Sequence, residues 1–177
     1  MKQVILLFVF SLLFTASVQA QETPLPAPYT LQSETDYRQY ESNVLASIQW
    51  LQNTPRTVDV TKRKQTEDFL IKWIYGTPYL KVVIEPYAMK LSGKNADLLV
   101  SFIFGYTEFL LKNIAEKDAL FANVAGINFL MKDYTANISS FKKDPAIDQI
   151  IELQTSGKLP EWIKTQISVA HSLQAEN

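Results

Sequence analysis

The chain contains no cysteine and a single histidine, His171, among its 177 residues. Without cysteine there is no disulfide framework, no thiolate zinc site, no cysteine nucleophile and no lipidated cysteine of the bacterial lipoprotein kind. One histidine excludes two-histidine metal motifs such as H-E-x-x-H, and the E-x-x-H pattern of helical di-iron sites is absent as well. An excess of charge is also missing. Seventeen Lys and Arg stand against 18 Asp and Glu, a formal net charge of −1, whereas nucleic-acid binders carry a basic surplus that displaces counterions. Glycine-rich phosphate loops, the G-x-S-x-G elbow and D-x-D-x-D-G calcium loops do not occur. The composition therefore implies no cofactor and no metal, and it argues against nucleic acid as a partner.

What is present begins with an export signature. Lys2 precedes an apolar run from Val4 to Phe14 that only Ser11 interrupts. Eleven helical residues span roughly 16 Å, about half of a ~30 Å hydrocarbon core, so the run has the length of a signal-peptide core and not of a membrane span. Val18-Gln19-Ala20 places small residues at −3 and −1 of a cleavage site, and residues 1–20 are read as a signal peptide. Removing 20 of the 177 residues leaves 157 and moves the formal charge from −1 to −2 with the loss of Lys2. That length suits one domain, and a cysteine-free exported chain suits the periplasm of a Gram-negative bacterium or the medium outside it. The mature form is expected to have no stable membrane span.

Residues 21–33 carry Pro24, Pro26 and Pro28 and read as an extended, polyproline-like spacer. Residues 34–177 read as a single helical domain. Ser33 followed by Asp36 marks a capped start, and Tyr37, Tyr40, Val44, Ile48 and Leu51 recur at helical steps up to Asn53-Thr54-Pro55. Asp59 is placed to cap a second helix that Gly76 ends with a left-handed residue. Thr77-Pro78 resembles a further helix start, but Val82-Val83-Ile84 is β-prone and Pro86 opposes a helix interior, so 78–91 is read as a broken helix. The segment from about 96 to 112 is apolar nearly all round and is expected to be the central helix. Helices at about 117–134, from Asp144-Pro145 to Gly157, and from Pro160 onward complete the set. The fold class is all-α: one domain of about six to seven helices around the central one, as a bundle or as stacked helical hairpins. An echo, W-[LI]-x-x-T-P at Trp50 and Trp73, leaves a two-copy repeat open beside two helices that merely end alike. Gly105 and Gly126 fall mid-helix, where a glycine costs up to about 1 kcal/mol, which a close helix crossing would offset.

Chemistry-bearing residues are few. His171 lies near the C-terminus and reads as a surface residue. Glu67, Asp68, Glu85, Asp97, Glu108, Glu116 and Asp118 are scattered, and Glu108, in the most apolar helix, is the one candidate for a carboxylate-dependent hydrolase. Lys62, Arg63 and Lys64 place positive charge at a helix start, against the macrodipole, and form a candidate basic patch or a solvated turn. Asn137-Ile138-Ser139 matches a glycosylation sequon. Of 21 Phe, Trp and Tyr, 18 lie beyond residue 20, and Trp73, Tyr75 and Tyr79 cluster around Gly76-Thr77-Pro78. Tyrosine and tryptophan combine apolar area with a polar handle, so this junction is the candidate binding site for a protein or a small apolar ligand.

The segments K-W-I-Y-G-T-P (Lys72 to Pro78) and N-A-D-L-L-x-x-F-x-x-G (Asn95 to Gly105) resemble those of small secreted all-helical proteins of Gram-negative bacteria. The resemblance covers most of the mature chain and implies export and a helical fold; it brings no activity, cofactor or site residue. The function expected from these readings is that of an exported, non-enzymatic helical domain acting through an interaction surface or an apolar pocket. A carboxylate hydrolase and a carrier of small apolar molecules are the alternatives.

Overall fold

The structure, a computed structural model, describes residues 25–26, 28–116 and 118–175; the expected signal peptide and the start of the leader lie outside them. Among the described residues the chain forms eight α-helices and no strand. They are α1 (Glu34–Gln39), α2 (Glu41–Asn53), α3 (Val60–Gly76), α4 (Pro86–Ser92), α5 (Asp97–Lys112), α6 (Ala119–Ala136), α7 (Pro145–Thr155) and α8 (Leu159–Ala175). The all-α, single-domain reading holds, with the expected first helix divided at Tyr40.

Local sequence explains most of the boundaries. Ser33 and Asp36 form a reciprocal capping box at the start of α1. The carboxylates of Asp118 and Asp144 accept from the Leu120 and Ala146 backbone N–H groups at the starts of α6 and α7. Gly157 takes a left-handed φ of 71°, and the Lys158 N–H closes back on the Leu153 carbonyl at 2.8 Å, a Schellman ending for α7.

Three local expectations are corrected. Asp59 precedes α3 in a left-handed conformation, and its side chain caps nothing. Gly76 is not a left-handed exit; the Tyr37 hydroxyl occupies the space its Cβ would need, so the glycine serves a close approach. Thr77 and Pro78 do not open a helix. Thr77 instead closes α3, residues 77–85 run without helix, and α4 starts with Pro86 at its first position. There the missing proline N–H costs no hydrogen bond, whereas inside a helix the ring would displace the Val82 carbonyl.

Helices α5 and α6 form the wall between two apolar cores. Leu98, Phe102 and Tyr106, one helical stripe of α5, join Ile127, Leu130 and Tyr134 of α6 in the core that α4, α7 and α8 complete. Phe104 and Leu111 leave α5 in another direction and meet Phe129 of α6 in the core formed with Val44, Ile48, Phe69 and Trp73 of α2 and α3. A helix feeding two cores must be apolar almost all round, as its sequence is. The α5–α6 crossing is built on the two mid-helix glycines. A Cβ on Gly105 would stand 2.7 Å from the Ala125 carbonyl oxygen and 3.2 Å from Gly126 Cα; one on Gly126 would stand 2.7 Å from the Phe102 ring. Both distances of 2.7 Å lie inside van der Waals contact, so the backbones approach as closely as they do only because both side chains are missing.

The described part of the leader is no free spacer. Leu25, Tyr29 and Leu31 pack on the α2–α3 core, and the Tyr29 ring meets Phe69 edge-on with centroids 5.0 Å apart. The tryptophan echo does not extend into structure. Both Trp50 and Trp73 are buried, but a short turn leads from the first to α3 and the extended segment leads from the second.

Candidate binding cleft

Residues 77–85 pass from the α2–α3 core, where Tyr79 and Leu80 pack, to the other core, where Val82 packs. An extended chain crossing between helices cannot fill the grooves on both its sides, and two clefts open along it. The first, about 570 Å³, lies between the segment, α3 and α5 and is walled by Ile71, Ile74, Val82, Ile84 and Ile103. Its volume falls in the ~300–1,000 Å³ range of small-molecule sites. Lys81 is the one charged residue among the described residues lining it. The second, about 490 Å³, shares Tyr79, Leu80 and Lys81 with the first and is bounded by Arg38, Glu41 and Tyr106.

The segment is pinned from both cores. Tyr106 is buried, and its hydroxyl lies beside the Val83 backbone N–H; burial raises its pKa more than that contact lowers it. Arg38 stacks on the Tyr79 ring, 4.0 Å from the centroid, and reaches Glu41 at 3.7 Å. The Tyr79 hydroxyl sits close to Glu41 and Thr77, yet Glu41 Oε1, Thr77 Oγ1 and the Tyr79 hydroxyl are all buried outside hydrogen-bond geometry. Burial, and next to it the Glu41 carboxylate, push the Tyr79 phenol up to about 12.

The aromatic junction is thus divided among three roles. Trp73 is fully buried and donates its indole N–H to the Tyr37 carbonyl at 2.9 Å, so it supports the site from below. Tyr75 is 94% exposed at the mouth of the first cleft, and Tyr79 forms the partition between the two.

The basic triplet does not come together as a patch. Arg63 is buried and donates to the Leu51 carbonyl at 3.1 Å and to the Thr54 carbonyl, closing the C-terminal end of α2. Desolvation lowers its pKa despite the Glu67 charge nearby, and desolvation likewise raises that of Glu67 against the pull of Arg63. Positive charge in the first turn of α3 therefore serves the preceding helix. Lys62 lies over the Trp50 ring at 5.5 Å, and Lys64 pairs with Asp68 at 3.0 Å on the surface.

Glu108 is tied to Lys112 one turn on, at 2.5 Å, and no second carboxylate is among the described residues lining the shallow depression beside it. The paired groups of a glycosidase are not assembled there. His171 is exposed in the last turns of α8, 3.5 Å from the buried Glu85. Among the described residues no group of three His, Asp or Glu could hold a metal ion, and no helix is long and apolar enough to cross a membrane.

Sequence reasoning missed Arg56. From the α2–α3 turn its guanidinium makes a bidentate contact with Asp133 of α6, at 2.7 Å and 3.1 Å, and reaches Asp97 of α5 at 3.1 Å. Its backbone N–H donates to Asn137, so the sequon asparagine is engaged inside the fold. Burial lowers the Arg56 pKa, and the Asp133 hydrogen bonds and charges outweigh it, leaving a net rise. The sequence signal available was weak, an Arg after the Thr-Pro helix stop with partners 41 and 77 residues away.

No protein-family model, curated protein or solved structure matches the chain.

Proposed function

We propose that this is an exported, non-enzymatic helical domain that binds a small apolar ligand in the cleft between α3, α5 and residues 77–85. The cleft itself carries the reading: a small-molecule-sized hollow lined, among the described residues, by six aliphatic side chains and a single charged one. Exposed tyrosine at its mouth and a half-buried one at its partition supply the amphipathic aromatics such sites favour. Export is supported by Lys2, the Val4–Phe14 run and Val18-Gln19-Ala20, and by the resemblance to small secreted proteins of Gram-negative bacteria. N-terminal sequencing of the protein from a periplasmic fraction is expected to begin at Gln21.

Binding is tested with the neutral fluorescent probe N-phenyl-1-naphthylamine. Its emission should rise and shift to the blue with the full chain, and Ile71→Glu should abolish the change. Ile71 is 40% exposed, so the substitution puts a carboxylate on the cleft wall without burying it in the core. An unchanged response in the variant refutes the placement.

A further inference from the structure

The first cleft offers its ligand little polarity, and what it offers has a definite sign. Lys81 is exposed on the segment wall and has no salt-bridge or hydrogen-bond partner among the described residues. The carboxylates that share the second cleft with it are engaged locally. Asp118 caps α6 through the Leu120 N–H, Glu116 accepts from the Asp118 N–H at 2.8 Å, and Glu41 lies against Arg38. Lys81 forms no ion pair with them and is the one charged side chain, among the described residues, at the edge of the aliphatic hollow.

Resting on the cleft-binding reading, we propose that the ligand is a single-chain amphiphile with a monoanionic carboxylate head. Its tail lies along Ile71, Ile74, Val82 and Ile103, and its head is held at Lys81. A lysine ammonium is a compact point charge, suited to one carboxylate. No arginine lines this cleft among the described residues, so the bidentate fork that phosphate recognition favours is missing. Lysine stems tend to lie along apolar surface with the charge in water, and Lys81 is exposed, which places the head at the mouth and the tail inside.

The test is calorimetric titration of the full chain at neutral pH with dodecanoate and dodecan-1-ol, each below its aggregation limit. The two share a tail and differ in head charge. Dodecanoate should bind about fivefold more tightly, the yield of a solvent-exposed ion pair, and added salt should erode that preference. Lys81→Gln should make the two ligands equal without changing the alcohol. Equal affinities in the parent chain, or a preference that survives both Lys81→Gln and high salt, overturns the carboxylate assignment while leaving an apolar site. Binding of neither ligand, together with an N-phenyl-1-naphthylamine response indifferent to Ile71→Glu, overturns the cleft reading itself.

Discussion

The α5–α6 crossing and the 77–85 segment are both places where the chain departs from ordinary helix packing, and they depart in opposite directions. At the crossing, Gly105 and Gly126 remove two side chains and the helix backbones close until nothing fits between them. At the segment, Pro78 and Pro86 with Val82-Val83-Ile84 between them keep the chain out of a helix, and it spans two cores with unfilled space on either side. Close packing makes the first region the rigid partition of the molecule. Incomplete packing leaves the second open as a cleft, the binding surface we propose, because a cleft needs a wall that cannot collapse and a neighbour that cannot fill it.

The contrast is broken most severely by removing the polar clamp that holds the α2–α3 turn to the partition. Asp133→Ala leaves the Arg56 guanidinium largely buried without its main partner and is expected to cost about 3 kcal/mol, read as a lowered urea midpoint. Gly126→Ala comes next. The new methyl meets the Phe102 ring inside contact distance, and forcing it into a filled interface should cost about 2 kcal/mol by the same measurement. A variant as stable as the parent would mean that the crossing has room, and the two regions would no longer differ in kind.

The smallest effect belongs to the segment. Tyr79→Phe should change stability at neutral pH by no more than about 0.5 kcal/mol, since the hydroxyl forms no hydrogen bond. Alkaline conditions separate the two proteins. The phenol of Tyr79 ionises near 10 when unfolded and at about 12 in the fold, so between those values the native state holds the proton that the unfolded state has released. That contribution is present in full below pH 10 and is lost as pH rises toward 12. Urea midpoints across this window should fall less steeply for Tyr79→Phe than for the parent, and parallel curves would show that Tyr79 is not held neutral by its surroundings.

Much of the architecture was legible along the chain. The apolar circumference of α5, the helix starts at Ser33 and Asp144, and the turn glycine at Gly157 are signals that act within a few residues, and each has its expected place. Gly105 and Gly126 foretold a close crossing because a helix glycine without a packing reason is a net cost. Gly76 and Asp59 were misread because their roles depend on Tyr37 and on the turn geometry, neither of which the local pattern carries. Of the site, the aromatic cluster located the region, but its division into buried Trp73, rim Tyr75 and partition Tyr79 was not visible. Arg63 illustrates the reason. A basic triplet advertises a surface patch, while the carbonyls left open at the end of α2 drew its middle member inward.

The sequence by itself determined the helical class, the apolar central element, the breaks at proline, and, by what it lacks, the absence of thiol and two-histidine chemistry. These follow from backbone propensity, side-chain periodicity and residue inventory, which need no knowledge of distant neighbours. Only the tertiary structure decided that α5 and α6 partition two cores, that Arg56 ties the α2–α3 turn to α5 and α6, and that Lys81 stands at the edge of an aliphatic cleft. Each of those depends on which groups meet across tens of residues, and burial and charge compensation are properties of that meeting.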